Sequence, residues 1–172
     1  PYIEKKNAVS LEPGTLMATG RKMDIALNEK TVMAVQAQDG TLAFTRRGDL
    51  RVSSQGVLEN GSYHPVLGQG GNPITIPPGF EVSITKEGDV YARDPAQPGA
   101  VPEVLIDRLM LRDASAINLQ RRDDTLFTPH PEFRVINGDF QGGPNLPTLT
   151  AQALESSNVN PVTAMVKLID FS

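Results

Sequence analysis

The stretch Val32-Met33-Ala34-Val35-Gln36-Ala37-Gln38-Asp39-Gly40-Thr41-Leu42-Ala43-Phe44-Thr45-Arg46-Arg47-Gly48-Asp49-Leu50-Arg51-Val52-Ser53-Ser54-Gln55-Gly56-Val57-Leu58-Glu59-Asn60-Gly61 decides the fold class. Apolar runs at 32–37, 43–46 and 50–53 are separated by Gln38-Asp39-Gly40, Arg47-Gly48-Asp49 and Ser54-Gln55-Gly56, and Asn60-Gly61 closes the stretch. Short runs bounded by glycine, aspartate and asparagine are strands joined by tight turns, because those residues tolerate the backbone angles of turns. The same pattern continues outward. It predicts strands at 74–76, 81–85, 90–92, 104–112 and 133–136, with turns at Glu87-Gly88-Asp89 and Asn137-Gly138-Asp139. The fold expected is mainly β, with many short antiparallel strands in a complex β-domain.

One helix is expected, at the end. Asn160 reads as its N-cap and Pro161 as its first residue, after which Val162, Met165, Val166 and Ile169 fall on one face. The sequence stops at Ser172 with that stripe still running, so the helix reads as cut short. Thr45-Arg46-Arg47-Gly48-Asp49-Leu50 and Thr85-Lys86-Glu87-Gly88-Asp89-Val90 share one pattern. Each is expected to be a hairpin whose glycine takes positive φ. Prolines and glycines cluster over 70–102 and again over 141–147. Such loops are expected to flank an inserted β-subdomain at about 71–149 within a framework of 1–70 plus 150–172, the whole of 1–172 being one β-rich core.

Composition removes whole classes of chemistry. The 172 residues hold no cysteine and two histidines, which excludes disulfide scaffolds, thiolate metal sites, thiol nucleophiles and histidine-rich zinc sites. A net charge of -4 gives no general attraction to nucleic acid or anionic lipid. No apolar run approaches the roughly 20 residues that span a bilayer, and residues 1–7 lack the apolar core of a signal peptide. No cofactor, metal ligand set or catalytic group is expected. Asp123-Asp124 beside Arg121-Arg122 reads as a solvated charged turn, since neighbouring carboxylates on a strand point to opposite faces. Gly68-Gln69-Gly70-Gly71-Asn72-Pro73 lacks the helix that a phosphate loop must open. His64 and His130 read as exposed loop residues, and a hydrolase built around either has no support in their spacing. Arg47-Gly48-Asp49 spells an adhesive tripeptide, which gives an extracellular β-rich adhesive module as an alternative.

Several pieces taken in order resemble one family, the bacterial flagellar basal-body rod and hook proteins. They are Glu12-Pro13-Gly14-Thr15-Leu16, the run Thr19 to Leu27, Val35 to Gly40, Phe44-Thr45-Arg46-Arg47-Gly48-Asp49-Leu50 and Gln55-Gly56-Val57-Leu58. His64 to Gly68 and Pro73 to Pro77 follow, and Leu154-Glu155-Ser156-Ser157-Asn158-Val159-Asn160-Pro161-Val162 is similar to the signature before the family's final helix. Within the family the chain looks most like the F-type, proximal members, with G-type distal and hook-type subunits as the alternative. Lys30-Thr31 stands where relatives usually have Asp-Gly, and Gln152 where they commonly have glycine.

The resemblance implies a structural, non-enzymatic subunit. It would be exported without a cleaved signal peptide by the flagellum's own type III apparatus, and would polymerise helically with itself and other rod proteins in the part of the basal body that crosses the periplasm. It also implies the middle portion of a longer protein whose missing terminal helices drive assembly, so these 172 residues alone are expected to stay monomeric. The residues carried over as motif or assembly candidates are Thr45, Arg46, Gly48, Leu154, Glu155, Ser157, Asn158, Val159, Val162, Met165, Val166 and Ile169.

Overall fold

The computed structural model describes residues 11–99 and 101–156. They form fourteen strands and two 3-10 turns. The strands are β1 (Leu16–Ala18), β2 (Ile25–Leu27), β3 (Thr31–Gln36), β4 (Leu42–Thr45), β5 (Leu50–Val52), β6 (Leu58–Asn60) and β7 (Glu81–Ile84), followed by β8 (Asp89–Arg93), β9 (Val104–Arg108), β10 (Leu111–Asp113), β11 (Leu119–Arg121), β12 (Phe127–Pro129), β13 (Leu149–Ala151) and β14 (Ala153–Glu155). A five-stranded sheet in the order β10-β3-β4-β12-β11 lies with a three-stranded sheet, β7-β8-β9, and the pairs β5-β6, β13-β2 and β1-β14. Every named ladder is antiparallel. The mainly β expectation holds; the helix expected over 160–169 lies outside the described residues.

Strand β3 organises the interior. Successive side chains on a strand point to opposite faces, and here both faces are covered. Met33 and Val35 join one apolar cluster with Ile25, Leu50, Leu58, Val66, Val90 and Leu149. Val32 and Ala34 join a second with Phe44, Leu67, Met110, Leu119 and Phe140. That is why 32–35 reads as an unbroken apolar run rather than an alternating one. The Phe44 and Phe140 rings meet edge to face at 4.9 Å.

Three strand expectations are corrected. Residues 74–76 form only isolated bridges, with Thr75 opposite Val57 and Pro73 opposite Leu67, because Pro73 and Pro77 remove ladder donors on either side. The run 104–112 is two strands: β9 pairs with β8, the chain crosses over at Leu109 and Met110, and β10 pairs with β3. Residues 133–136 are not a strand. Pro131–Phe133 form a 3-10 turn, and Arg134 then bridges Phe140 around Asn137 (φ 63) and Gly138 (φ 85), so the Asn-Gly turn stands while the strand before it does not.

The repeated hexapeptides differ in role. Gly88, at φ 98, turns β7 into β8 as expected. Gly48 does not take positive φ. It is needed for space, since a Cβ there would lie 1.9 Å from the Ile25 carbonyl oxygen. At the β13–β14 junction the left-handed position falls on Gln152, φ 59, whose carbonyl accepts from the amides of Thr19 and Gly20. The glycine that the resemblance implies there would meet this backbone requirement freely, whereas this chain meets it with strain. Gln152→Gly is expected to be neutral or stabilising by up to about 1 kcal/mol and Gln152→Val to cost about 1–2 kcal/mol, because a β-branched residue fits that region worst. Denaturant midpoints of the two variants check the ordering.

Candidate functional site

Of the carried-over candidates, Thr45, Arg46, Gly48, Leu154 and Glu155 lie where the chain's early and late strands meet. β1 and β14 pair with Leu16 opposite Glu155, Met17 opposite Leu154 and Ala18 opposite Ala153. The Ser156 amide extends the ladder by donating to the Thr15 carbonyl at 2.8 Å. Antiparallel pairing at this register brings residues 15 and 156 side by side at one end. Leu16 and Met17 stay about half exposed.

Arg46 closes this corner. It follows the last residue of β4, and its side chain is 10% exposed, facing Glu155 at 13%. Nε donates to Glu155 Oε1 at 3.1 Å and Nη2 to Oε2 at 2.5 Å. Nη1 donates to the carbonyls of Glu29 and Thr31, both at 2.8 Å, and Nη2 also to that of Leu27 at 2.9 Å. A guanidinium has five N–H donors in a rigid fork, and all five are used. One side chain thereby ties β4, the β2–β3 turn and the last described strand together across 109 residues of sequence. A lysine, with a single ammonium, would not reproduce the fork.

The neighbouring candidates support the same corner. Thr45 is buried and its hydroxyl accepts from the Arg47 amide at 3.0 Å. Gly48 lies flat against β2, its carbonyl accepting from the amides of Ile25 at 2.9 Å and Leu50 at 3.0 Å. Leu154 is half-buried on β14. Ser157, Asn158, Val159, Val162, Met165, Val166 and Ile169 lie outside the described residues. Sequence reasoning singles out Arg46 and Glu155 through two separate motifs and misses their pairing. The three carbonyls carry no sequence signal at all.

The tripeptide Arg47-Gly48-Asp49 is folded on itself. Arg47 Nε and Nη2 grip Asp49 at 2.8 and 3.0 Å, and Nη1 reaches the Ser62 hydroxyl at 2.7 Å. Burial pushes the Asp49 carboxyl up, but the Arg47 hydrogen bond, the Gly61 amide and the Arg47 charge outweigh it and hold the group below the ordinary carboxylate range. A carboxyl with a depressed folded pKa contributes stability above its unfolded pKa of about 3.9, and that contribution is lost as pH falls through the folded value. The stability difference between the natural chain and Asp49→Asn is therefore expected to be constant above about pH 4 and to shrink at lower pH. Unfolding midpoints measured from neutral to acid pH check it.

His64 and His130 are half-buried rather than exposed. Among the described residues no group of three or more His, Cys, Asp or Glu side chains is placed to hold a metal ion, and no helix is long and apolar enough to cross a membrane. The charged turn expected at 121–124 is present: Arg122 pairs with Asp124 at 3.0 Å and with Asp39 at 3.3 Å, tying the β11–β12 turn to the β3–β4 turn.

Two family descriptions match the two stretches of the chain that meet at this corner. Flagellar hook protein FlgE/F/G D1 domain matches residues 26–92, which hold Arg46. Flagellar basal body rod FlgEFG protein C-terminal matches residues 150–172, which hold Glu155. The chain belongs to the flagellar hook and basal-body rod family. Among its relatives, the flagellar basal-body rod protein FlgF of Salmonella typhimurium is 37% identical over 92% of this chain and 62% of its own length. FlgF of Escherichia coli is 36% identical with the same coverage. The rod protein FlgG of Caulobacter vibrioides is 29% identical over 92% of this chain and 58% of its own length. The chain thus spans about 62% of the length of the FlgF relatives.

Proposed function

We propose that the chain is the central part of a structural subunit of the flagellar basal-body rod, F-type and proximal, that polymerises helically with itself and other rod proteins and transmits torque. The carrying observation is the β1–β14 ladder with its Arg46–Glu155 clamp. Thr15 and Ser156 stand side by side at one end of the described body, and the clamp fixes that end relative to the sheets. A load applied at that end enters a body with two packed apolar clusters, and close packing resists deformation. Within this reading the work is mechanical rather than catalytic. Thr45, Gly48 and Leu154 shape the corner, and Ser157, Asn158, Val159, Val162, Met165, Val166 and Ile169 are assigned to assembly. Export by the flagellar type III apparatus without a cleaved leader belongs to the same reading. A distal, G-type or hook-type role is the second reading, favoured by relatives named FlgG.

An open helical polymer needs two different, complementary patches on each subunit. If the flanking segments drive assembly, the 172-residue chain is expected to sediment as a monomer while the full-length protein self-associates or joins other rod subunits. A 172-residue chain that already forms filaments would contradict the assignment of assembly to those segments.

A further inference from the structure

Tyr63 is the most conspicuous feature that the clamp does not use. The loop Gly61-Ser62-Tyr63 joins β6 to the segment at 65, with the Asn60 amide donating to the His64 carbonyl at 3.1 Å and the Tyr63 amide to the Asn60 carbonyl at 2.9 Å. In three-residue hairpin loops the last position is left-handed, and glycine fills it without cost. Here the glycine stands first instead, where a Cβ would lie 2.2 Å from Asp49 Oδ2, and the left-handed position carries a tyrosine at φ 67. The tight Asn-Gly turn expected from the sequence is therefore replaced by a three-residue loop that strains a bulky residue. Tyr63 is 74% exposed.

The stem beneath the ring is rigid. The Arg51 guanidinium sits 4.2 Å from the ring centroid and is itself held by Glu59 at 3.0 and 3.2 Å. Asn60 Oδ1 accepts from the amides of Ser62 and His64. A projecting aromatic whose orientation is already fixed loses little entropy on binding, and tyrosine and arginine are the usual anchors of interfaces. Strain retained at such a position points to use.

The same chain carries a recess of suitable chemistry. An open groove of about 810 Å³ has Leu42, Leu67, Asn72, Arg134 and the ion-paired Arg122 and Asp39 among its lining residues. Arg134 is exposed, donates to its own Pro129 carbonyl at 3.3 Å and pairs with no carboxylate among the described residues. A guanidinium without a carboxylate partner, beside the partly exposed Leu42, suits the face of an aromatic ring.

We propose that Tyr63 of one subunit seats in this groove of the next copy of the same chain, as the outer contact of the helical assembly. The inference rests on the structural-subunit reading. The test uses the full-length protein in its source bacterium, carrying Tyr63→Cys together with Asn72→Cys at the groove; the 172 residues contain no cysteine of their own. Oxidation of purified basal bodies is expected to give linked ladders of two and more copies with the pair and none with either cysteine alone. Tyr63→Gly is expected to raise the thermal midpoint by relieving strain, while weakening association between copies about thirtyfold, read as loss of the chain from basal bodies. A chain that is present in basal bodies but gives no ladder from the pair, or a Tyr63→Gly chain incorporated at the natural level, overturns the inference. Absence of the natural chain from basal bodies overturns the structural-subunit reading instead.

Discussion

Arg46→Ala is expected to destabilise the chain by about 3–5 kcal/mol, the usual cost of removing one partner of a buried ion pair. The substitution leaves the Glu155 carboxylate 13% exposed without its cation and withdraws donors from the carbonyls of Leu27, Glu29 and Thr31. Against a total stability of about 5–15 kcal/mol this is a large fraction, so partial unfolding at moderate temperature should follow. Arg46→Lys is expected to recover only part of the loss, because the ammonium keeps the charge but not the five-donor fork. Replacing both partners by apolar residues is often neutral at buried pairs. Here Arg46→Met with Glu155→Leu is expected to remain destabilised, since the three carbonyls still face the site. Denaturant unfolding of the natural chain and these three variants separates the outcomes, and a neutral double variant would show that the carbonyl contacts contribute nothing.

Gly48→Ala is the second large effect. The new methyl would stand 1.9 Å from the Ile25 carbonyl oxygen and 2.7 Å from Ile25 Cγ1, and the oxygen belongs to backbone held in β2. Relief requires β2 to move away from Gly48, breaking the 2.9 Å bond from the Ile25 amide to the Gly48 carbonyl. Overpacking of this kind typically costs up to about 3 kcal/mol, and backbone displacement places it at the upper end or beyond. A fall in thermal midpoint of roughly 6–12 °C follows for a chain of this size. At Gly40 an added methyl would meet nothing within 4 Å, yet the backbone lies at φ 87, so alanine there would be strained by conformation alone. The contrast between the two sites separates a glycine kept for space from one kept for its backbone angle.

Strands with one apolar run between two turn signals are legible in the sequence, since period and punctuation are local properties. β3, β4, β5, β7 and β8 fall within a residue or two of where the runs at 32–37, 43–46, 50–53, 81–85 and 90–92 place them. What the sequence hides is pairing. β1 and β14 lie far apart in the chain, and neither, at three residues, is long enough to announce itself alone. The run at 104–112 looks continuous because Leu109 and Met110 are buried between two sheets, and nothing local marks the change of partner. The candidate corner is half legible in the same sense: Arg46 and Glu155 stand out as members of two motifs, but their contact is a property of the closed fold. The left-handed residues show the same limit. Gln152 departs from the glycine that the resemblance implies at its position, whereas Tyr63 follows a glycine that invites a turn assignment the backbone does not adopt.

Membership of the rod is tested without intermediaries by removing the gene for the full-length protein from its source bacterium. Non-swimming cells are expected, with purified basal bodies that stop short of a complete rod, and swimming should be restored by the natural gene and poorly by one encoding Arg46→Ala. Cells that swim normally without the gene, with complete rods in their basal bodies, would contradict a structural role in the rod.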